Sequence, residues 1–122
     1  MGDLAITTVG MEEVEEISLP NGSWSRMMLT GNTVDGIFSS LGYSIFKPGT
    51  ELDLVSHEVE EVAFVVQGSG VIRTEASDVP FSAGQAIHIE PQVWHGVVNN
   101  GSEDVIMVFG FPHPDYPPTE RK

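Results

Sequence analysis

The side chains best suited to chemistry in this sequence are its histidines and one carboxylate close to them. His57 precedes Glu61 by four residues. His95 follows a turn and lies 38 residues after His57, a distance that predicts a neighbouring strand reached through a hairpin. On a regular strand His57 and Glu61 share a face, so the imidazole and the carboxylate converge if the chain bends between them. Such a pair can serve metal binding or acid–base chemistry, but a pair at this spacing alone is more often an ordinary surface pair.

Two further histidines have less to recommend them. His88 lies between Ile87 and Ile89, so it faces away from the core if the isoleucines face inward. His113 lies in a proline-rich segment that could fold across the mouth of a barrel, although a histidine in such a segment is usually exposed. We expect neither of them to be a ligand.

The elements that must position these side chains are short. Runs rich in Val, Ile and Phe, several of them alternating, are typical of strands and are separated by Gly, Asn, Asp and Pro. They cover residues 37–46, 51–57, 62–67, 71–75, 86–89 and 105–111. Only residues 10–17, with Met11, Val14 and Ile17 three apart, favour a helical turn or two. Many short strands with regular turns predict an all-β sandwich or barrel.

The chain length predicts one domain. Its 122 residues are enough for a single hydrophobic core and too few for two. We assign residues 1–122 to that domain, with N-terminal strands and turns over about residues 1–25. The prolines of residues 112–122 predict an extended tail over the surface.

Composition excludes several classes of function. Five lysines and arginines stand against 18 acidic residues, and the formal charge of −13 repels phosphate backbones and anionic lipids. Nucleic acid and membrane partners are therefore not expected. The absence of cysteine rules out disulfides and thiolate ligands. No signal-peptide pattern or membrane-length apolar run is present, so we expect a cytoplasmic location.

Two stretches have glycines in register with the candidate ligands. The first runs Gly49, five residues, Val55, one residue, His57, three residues, Glu61, six residues, Gly68. It resembles the first motif of the cupin family, Gly-x5-His-x-His-x3,4-Glu-x6-Gly. Val55 replaces the first histidine of that motif.

The second stretch runs Gly84, five residues, Glu90, one residue, Gln92, two residues, His95, three residues, Asn99. It resembles the second cupin motif, Gly-x5-Pro-x-Gly-x2-His-x3-Asn. Glu90 and Gln92 replace the proline and the inner glycine. Two motifs in order identify the chain as similar to a small single-domain cupin of the conserved-barrel type.

This resemblance implies an all-β jelly-roll barrel, the double-stranded β-helix, with a metal ion inside. The family holds the ion with three histidines and a glutamate, of which His57, Glu61 and His95 have counterparts in this sequence. Two imidazoles and one carboxylate suit Fe(II), Mn(II), Ni(II), Co(II) or Zn(II) and leave positions open for water and substrate.

The resemblance favours a metal-dependent enzyme acting on a small carbonyl- or carboxylate-bearing molecule. Dioxygenase, decarboxylase, lyase and isomerase chemistry all occur on such barrels, and the ligand set slightly favours iron-dependent oxygen chemistry. The alternatives are a non-catalytic ligand-binding or sensing module and a metal-free isomerase or epimerase. Because cupin barrels commonly pair, we also expect a homodimer whose interface includes residues before about Asn21.

Overall fold

Two antiparallel β-sheets enclose a common interior in the computed structural model, which describes residues 5–122. The strands are β1 (Ile17–Ser18), β2 (Trp24–Leu29), β3 (Ser40–Phe46), β4 (Val55–His57), β5 (Glu61–Gln67), β6 (Ser69–Thr74), β7 (Asp78–Ser82), β8 (Ala86–Ile89), β9 (His95–Val98), β10 (Val105–Phe111) and β11 (Thr119–Arg121). Single 3-10 turns lie at Met11–Glu13 and Pro20–Gly22.

The strand order is that of a jelly roll. The first sheet has the order β1-β2-β3-β10-β5-β8, and the second has the order β11-β4-β9-β6-β7. Consecutive strands repeatedly change sheet, so residues distant in sequence become neighbours in space. The predicted all-β jelly-roll barrel is confirmed.

The hydrophobic core lies between the inner faces of the two sheets. Its buried members are Phe46, Val65, Val105 and Met107 of the first sheet and Ile72 and Phe81 of the second. On each strand these residues alternate with outward-facing ones, as expected for a sheet with one buried face. The core fixes the strand register and therefore the positions of the candidate ligands.

The motif glycines mark turns that other residues adopt at a cost. Gly49, Gly68 and Gly84 all have φ near +90°, in the left-handed region that favours glycine. At Gly68, between β5 and β6, an added Cβ would also lie 2.7 Å from the carbonyl oxygen of Asp104. The motif spacing therefore corresponds to the turns that connect the barrel strands.

Two predicted strands begin later in the structure. The run predicted over 37–46 begins at Ser40, and the one predicted over 51–57 begins at Val55. Before Val55 the chain makes an isolated bridge between Glu51 and Val98 and a single bond from the Leu52 amide. The runs predicted over 86–89 and 105–111 have the bounds of β8 and β10.

At the N-terminus the predicted helical turn over 10–17 is a single 3-10 turn. The Arg26 guanidinium donates to the carbonyl oxygens of Met11 and Val14, at 3.0 and 2.6 Å. These bonds tie the segment to β2 and occupy carbonyls that a longer helix would use.

The C-terminal segment differs from the predicted surface tail. After the prolines, Thr119–Arg121 forms β11, which pairs with β4 at the edge of the second sheet. Proline does not prevent this pairing, because Pro117 and Pro118 precede the paired residues. The segment reaches the candidate site as a result.

Candidate metal centre

The three candidate ligands come from strand ends at one corner of the barrel. His57 is the last residue of β4 in the second sheet, and Glu61 is the first residue of β5 in the first sheet. The chain therefore bends between them, as convergence of their side chains requires. His95 begins β9, whose neighbour in the sheet is β4, with His95 paired to Val55.

His95 thus lies on a strand neighbouring His57, as its spacing suggested, but no hairpin connects the two strands. The four strands β5 to β8 intervene in the chain, because the jelly roll alternates between its sheets. The prediction that His95 lies on a strand neighbouring His57 is correct, and the prediction that a hairpin connects the two strands is wrong.

The three side chains converge on one point. Glu61 Oε1 lies 3.3 Å from His57 Nε2 and 3.3 Å from His95 Nε2. One ligand atom from each residue lies within 4.8 Å of the others, close enough for all three to contact a single ion. Both imidazoles are almost fully buried, with relative exposures of 4% and 6%. A buried cluster of this kind is not an ordinary surface pair.

Hydrogen bonds on the far side of each ring determine which nitrogen carries the proton. His95 Nδ1 lies 2.8 Å from the carbonyl oxygen of Val93, which only accepts, so Nδ1 is protonated. His57 Nδ1 lies 2.8 Å from Thr119 Oγ1. The Thr119 hydroxyl donates its own proton to the Pro117 carbonyl at 2.7 Å, so it accepts from His57. Both Nε2 atoms therefore present lone pairs to the site when the rings are neutral.

This donor set fits a divalent metal ion. Two imidazole lone pairs and a carboxylate oxygen aimed at one buried point need a cation between them, either a metal ion or a proton. Burial raises the pKa of Glu61, but hydrogen bonds from the His57 and His95 rings and their positive charge, both present when the rings are protonated, outweigh it, so this pKa lies below its ordinary value. Burial lowers the pKa of His95, but bonding to Glu61 and Val93 outweighs it and raises this pKa. The cluster thus attracts positive charge.

Val55 stands where the first cupin motif has a further histidine. It lies directly opposite His95 on the neighbouring strand and lines the same cavity as His57. A residue two positions before His57 faces the same side of β4, which is where the first histidine of the motif would point. Its aliphatic side chain leaves one position of a four-ligand site open.

The cluster lies in the wall of a cavity of about 410 Å³. Aliphatic and aromatic side chains from both sheets form most of this cavity, among them Ile17, Leu19, Met27, Phe46, Leu52, Ile72, Ile87, Ile89, Met107, Phe109 and Phe111. Polar groups are few: besides the cluster, they include a pair of serines, Ser25 and Ser44, with oxygens 2.6 Å apart. The site therefore suits a largely apolar molecule with a few polar atoms.

The C-terminal segment adds residues that the sequence did not indicate. The Tyr116 ring packs edge-on against His57, with centroids 5.4 Å apart, and lines the cavity with Arg121. Burial and the charge of Glu61 raise the pKa of Tyr116, and the positive charge of Arg121 opposes this only in part. The pairing of Thr119 with His57 on β4 was the missing information, because no local pattern marks these residues.

The remaining histidines lie elsewhere. His88 is exposed and bonds to Glu60 at 2.7 Å on the outside of the barrel, as the isoleucine pattern predicted. His113 bonds to the backbone of Asp115. Asn99, the last residue of the second motif, is fully buried, and its amide donates to the carbonyls of Phe46 and Glu103. Its role in this structure is to hold loops together.

Fold and site together define a jelly-roll barrel with a His/His/Glu cluster in the wall of its cavity. A family model described as a cupin domain matches residues 42–111, more than half of the chain. The chain therefore belongs to the cupin family, as its two motifs predicted.

Two curated proteins are similar in sequence. The polyketide synthase CurC of Streptomyces cyaneus is 32% identical over 101 residues, covering 80% of this chain and 65% of that protein. Auxin-binding protein 1 of Arabidopsis thaliana is 30% identical over 112 residues, covering 79% of this chain and 57% of that protein. The chain thus spans less than two thirds of either relative.

Solved structures show the same fold at lower identity. The polyketide cyclase RemF from Streptomyces resistomycificus has a TM-score of 0.78 and 19% identity over 95% of this chain and 84% of that one. A variant of the Bacillus subtilis oxalate decarboxylase OxdC has the same TM-score and identity over 91% of this chain and 30% of that one. A cupin from Shewanella frigidimarina, described as RmlC-like, has a TM-score of 0.67 and 19% identity over 88% and 90% of the two chains.

Among residues 5–122 no helix is both long enough and apolar enough to span a membrane.

Proposed function

We propose that this cupin is a metal-dependent enzyme that acts on a small, largely apolar molecule carrying a carbonyl or carboxylate oxygen. The observation that carries the proposal is the convergence of His57 Nε2, His95 Nε2 and Glu61 Oε1 at the wall of an apolar cavity. Three protein ligands leave coordination positions that a substrate oxygen can occupy.

The residues have separable roles in this proposal. His57, Glu61 and His95 hold the ion, which supplies a Lewis acid for a carbonyl or carboxylate oxygen and lowers the pKa of a bound water. The apolar walls exclude bulk water and orient the substrate body. The hydroxyl of Tyr116, like that of an ordinary tyrosine, is protonated at neutral pH, and its raised pKa extends this to higher pH, so it can donate a hydrogen bond to substrate.

The similar proteins support a polyketide-like, largely apolar substrate over a small, highly polar one such as oxalate. One curated relative is named a polyketide synthase, and one structural relative is a polyketide cyclase. Proteins named for oxalate chemistry share the fold at 15–20% identity. The apolar lining of this cavity favours the first substrate class.

Metal analysis tests the proposal directly. We expect close to one equivalent of a first-row divalent ion in protein purified without chelator or reloaded separately with Fe(II), Mn(II), Ni(II), Co(II) and Zn(II). Less than roughly a tenth of an equivalent after every reloading would overturn metal dependence.

A matched pair of variants localises the ion. His95→Ala should lose the metal, whereas His88→Ala should keep it, because His88 bonds to a carboxylate outside the cavity. Loaded wild type and His88→Ala should turn over members of a panel of carbonyl compounds and carboxylic acids, and His95→Ala should not. Equal metal losses in the two variants would move the site elsewhere, and dependence of turnover on iron and dioxygen would select oxygen chemistry.

A second candidate function is ligand binding without chemistry. The similarity to auxin-binding protein 1, a protein named for binding, favours this alternative. Saturable binding of a compound that loaded protein never converts would distinguish it. A third outcome, turnover that survives removal of all metal, would instead indicate a metal-free isomerase or epimerase using His57 or His95 as base.

We further propose a homodimer that buries the outer face of the first sheet together with residues before about Asn21. Val62, Phe64 and Val66 on β5 are about half exposed on that face. Across the neighbouring strands, Phe64 is in register with Val108 and Tyr43. Ile17 of β1, at the edge of the same sheet, is also 46% exposed. Apolar surface of this kind is typical of subunit contacts.

A further inference from the structure

One basic side chain in residues 5–122 has no acidic partner. The chain has five lysines and arginines against 18 acidic residues. Four of the five form ion pairs: Arg26 with Glu16, Lys47 with Asp104, Arg73 with Glu51 and Asp78, and Lys122 with Glu75. Within the described residues Arg121 has no carboxylate oxygen within 4.0 Å, although acidic residues are in large excess.

Arg121 lies at the open side of the candidate site. It is the last residue of β11 and pairs with Val55, while Thr119 pairs with His57. Residues two apart on a strand face the same side, so Arg121 shares the inner face of the sheet with Thr119. Arg121 is exposed to solvent and at the same time lines the cavity, so its side chain lies at the cavity mouth.

We propose that Arg121 is a specificity residue that binds the carboxylate of an apolar monocarboxylate ligand at this mouth. The proposal deepens the proposed function, on which it rests for the identity of the cavity as a substrate site. A guanidinium and a carboxylate form two parallel hydrogen bonds with a fixed geometry. The rest of the chain repels anions because of its charge of −13, so an anion gains most at this unpaired cation.

The register separates this carboxylate from the metal-binding point. Arg121, Val55 and His95 form one row across β11, β4 and β9. Adjacent strands lie about 4.8 Å apart, so the backbones of Arg121 and His95 are roughly 10 Å apart. A ligand held at Arg121 therefore places its apolar body along the cavity and its other end toward the His/His/Glu cluster.

The carboxylate of Asp53 lines the same cavity as Arg121 and affects binding of a ligand carboxylate there. None of the ion pairs among the described residues joins Asp53 to Arg121. Its charge opposes entry of an anion, so removing that charge should strengthen binding of the ligand carboxylate.

The test uses metal-free protein, so that its outcome does not depend on the metal site. The probes are 2-naphthoate and its neutral amide, 2-naphthamide, titrated by fluorescence at low ionic strength. Hydrogen bonds to charged groups are stronger than those between neutral groups, and partial exposure to solvent reduces their contribution, so wild type should prefer the acid by about tenfold. Arg121→Gln should remove the preference by weakening binding of the acid much more than binding of the amide, and Arg121→Lys should keep part of the preference.

Two controls separate a local effect from a change in net charge. Arg73→Gln removes the same charge from a residue that is paired outside the cavity, and it should leave the preference intact. Asp53→Asn should increase it. Wild type that binds neither probe, or binds both equally, or an Arg121→Gln variant that still prefers the acid, would overturn the proposal. Metal content, measured separately, decides the proposed function.

Discussion

At the scale of single residues, the hydrogen bonds that His57 and His95 form through Nδ1 matter as much for the candidate metal site as the Nε2 atoms that face it. Thr119 Oγ1 accepts from His57 Nδ1 because its own proton is donated to the Pro117 carbonyl. This chain of two bonds keeps the His57 proton on Nδ1 and leaves Nε2 free to bind metal. In the proposed metal site Thr119 is therefore a positioning residue, because it bonds to His57 but does not line the cavity.

Replacing Thr119 with valine removes the acceptor and keeps the shape. We expect Thr119→Val to weaken metal binding by about 10- to 100-fold, the usual effect of losing such a partner, and Thr119→Ser to restore most of it. Competition against a chromophoric chelator measures the affinities, and nitrogen NMR of the His57 ring reports its tautomer. Unchanged affinity and tautomer in Thr119→Val would show that the bond has no positioning role.

Val55 offers a test of the ligand assignment itself. Because Val55 lies opposite His95 and lines the cavity, a histidine there should supply a fourth ligand. Since even a partner behind a ligand changes affinity by about 10- to 100-fold, Val55→His should tighten metal binding at least about tenfold. Turnover should fall, because the added ring fills an open position.

The matched control for this change is Ser56→His. Ser56 pairs with Glu120, and as the next residue along β4 it faces the opposite side of the strand from Val55. Chelator competition on the two variants should therefore separate them. Val55→His binding metal no more tightly than Ser56→His would mean that the register, and with it the assignment of His57 and Glu61, is wrong.

At the scale of elements, the sequence predicted the bounds of some strands and missed others, among them β2 and β9, which lie outside the predicted runs. The runs predicted over 86–89 and 105–111 have the observed bounds, because their apolar residues face the cavity or core. Strand β7 was not predicted, since Pro80 interrupts it, and it forms because an edge strand tolerates proline. Strand β11 was not predicted either, because its stability comes from pairing with β4 rather than from its own three residues.

The same limit applies to the site. Motif spacing predicted that His57, Glu61 and His95 belong together, and the structure brings them to one point. Spacing could not indicate Tyr116, Thr119 and Arg121, because strand pairing with β4 brings that segment to the site. The residues around Tyr116, Thr119 and Arg121 show no sequence pattern that indicates a role at the site, because pairing between distant strands brings them there.

The turn before β9 departs from the motif and gives a prediction about stability. Gln92 has φ of +65° at the position where the second motif has glycine. Its backbone N–H donates to the backbone carbonyl of His57 at 2.7 Å. A left-handed backbone conformation costs a residue other than glycine about 1–2 kcal/mol, and a glycine at this position would avoid that cost. The greater flexibility of glycine in the unfolded chain offsets part of this gain. Gln92→Gly should therefore raise the free energy of unfolding by up to about 1 kcal/mol.

Denaturant unfolding measures this difference. Glu90→Gly is the matched control, because Glu90 is exposed in the same turn and does not have positive φ. It should lower stability by roughly 0.5–1 kcal/mol, the usual effect of added chain flexibility. If both glycine variants lose stability equally, the backbone at Gln92 carries no strain.

At the scale of the whole molecule, the outer face of the first sheet contrasts with the charge of the chain. In the described part of the chain most acidic residues lie in loops and at strand ends, while the row of Phe64, Val108 and Tyr43 is uncharged up to Arg26 on β2. A chain of this charge repels its own copies except where apolar area outweighs the repulsion. This face is therefore where two copies should meet.

Light scattering at micromolar concentration should give about twice the chain mass of 13.2 kDa, and added salt should favour the dimer by screening the repulsion. Val66→Glu should shift the mass toward one chain, because it buries a charge in the contact. Val79→Glu is the control: Val79 is 53% exposed, close to the 51% of Val66, but lies on β7 in the other sheet. A wild-type mass near that of one chain, or equal effects of the two substitutions, would place no subunit contact on this face.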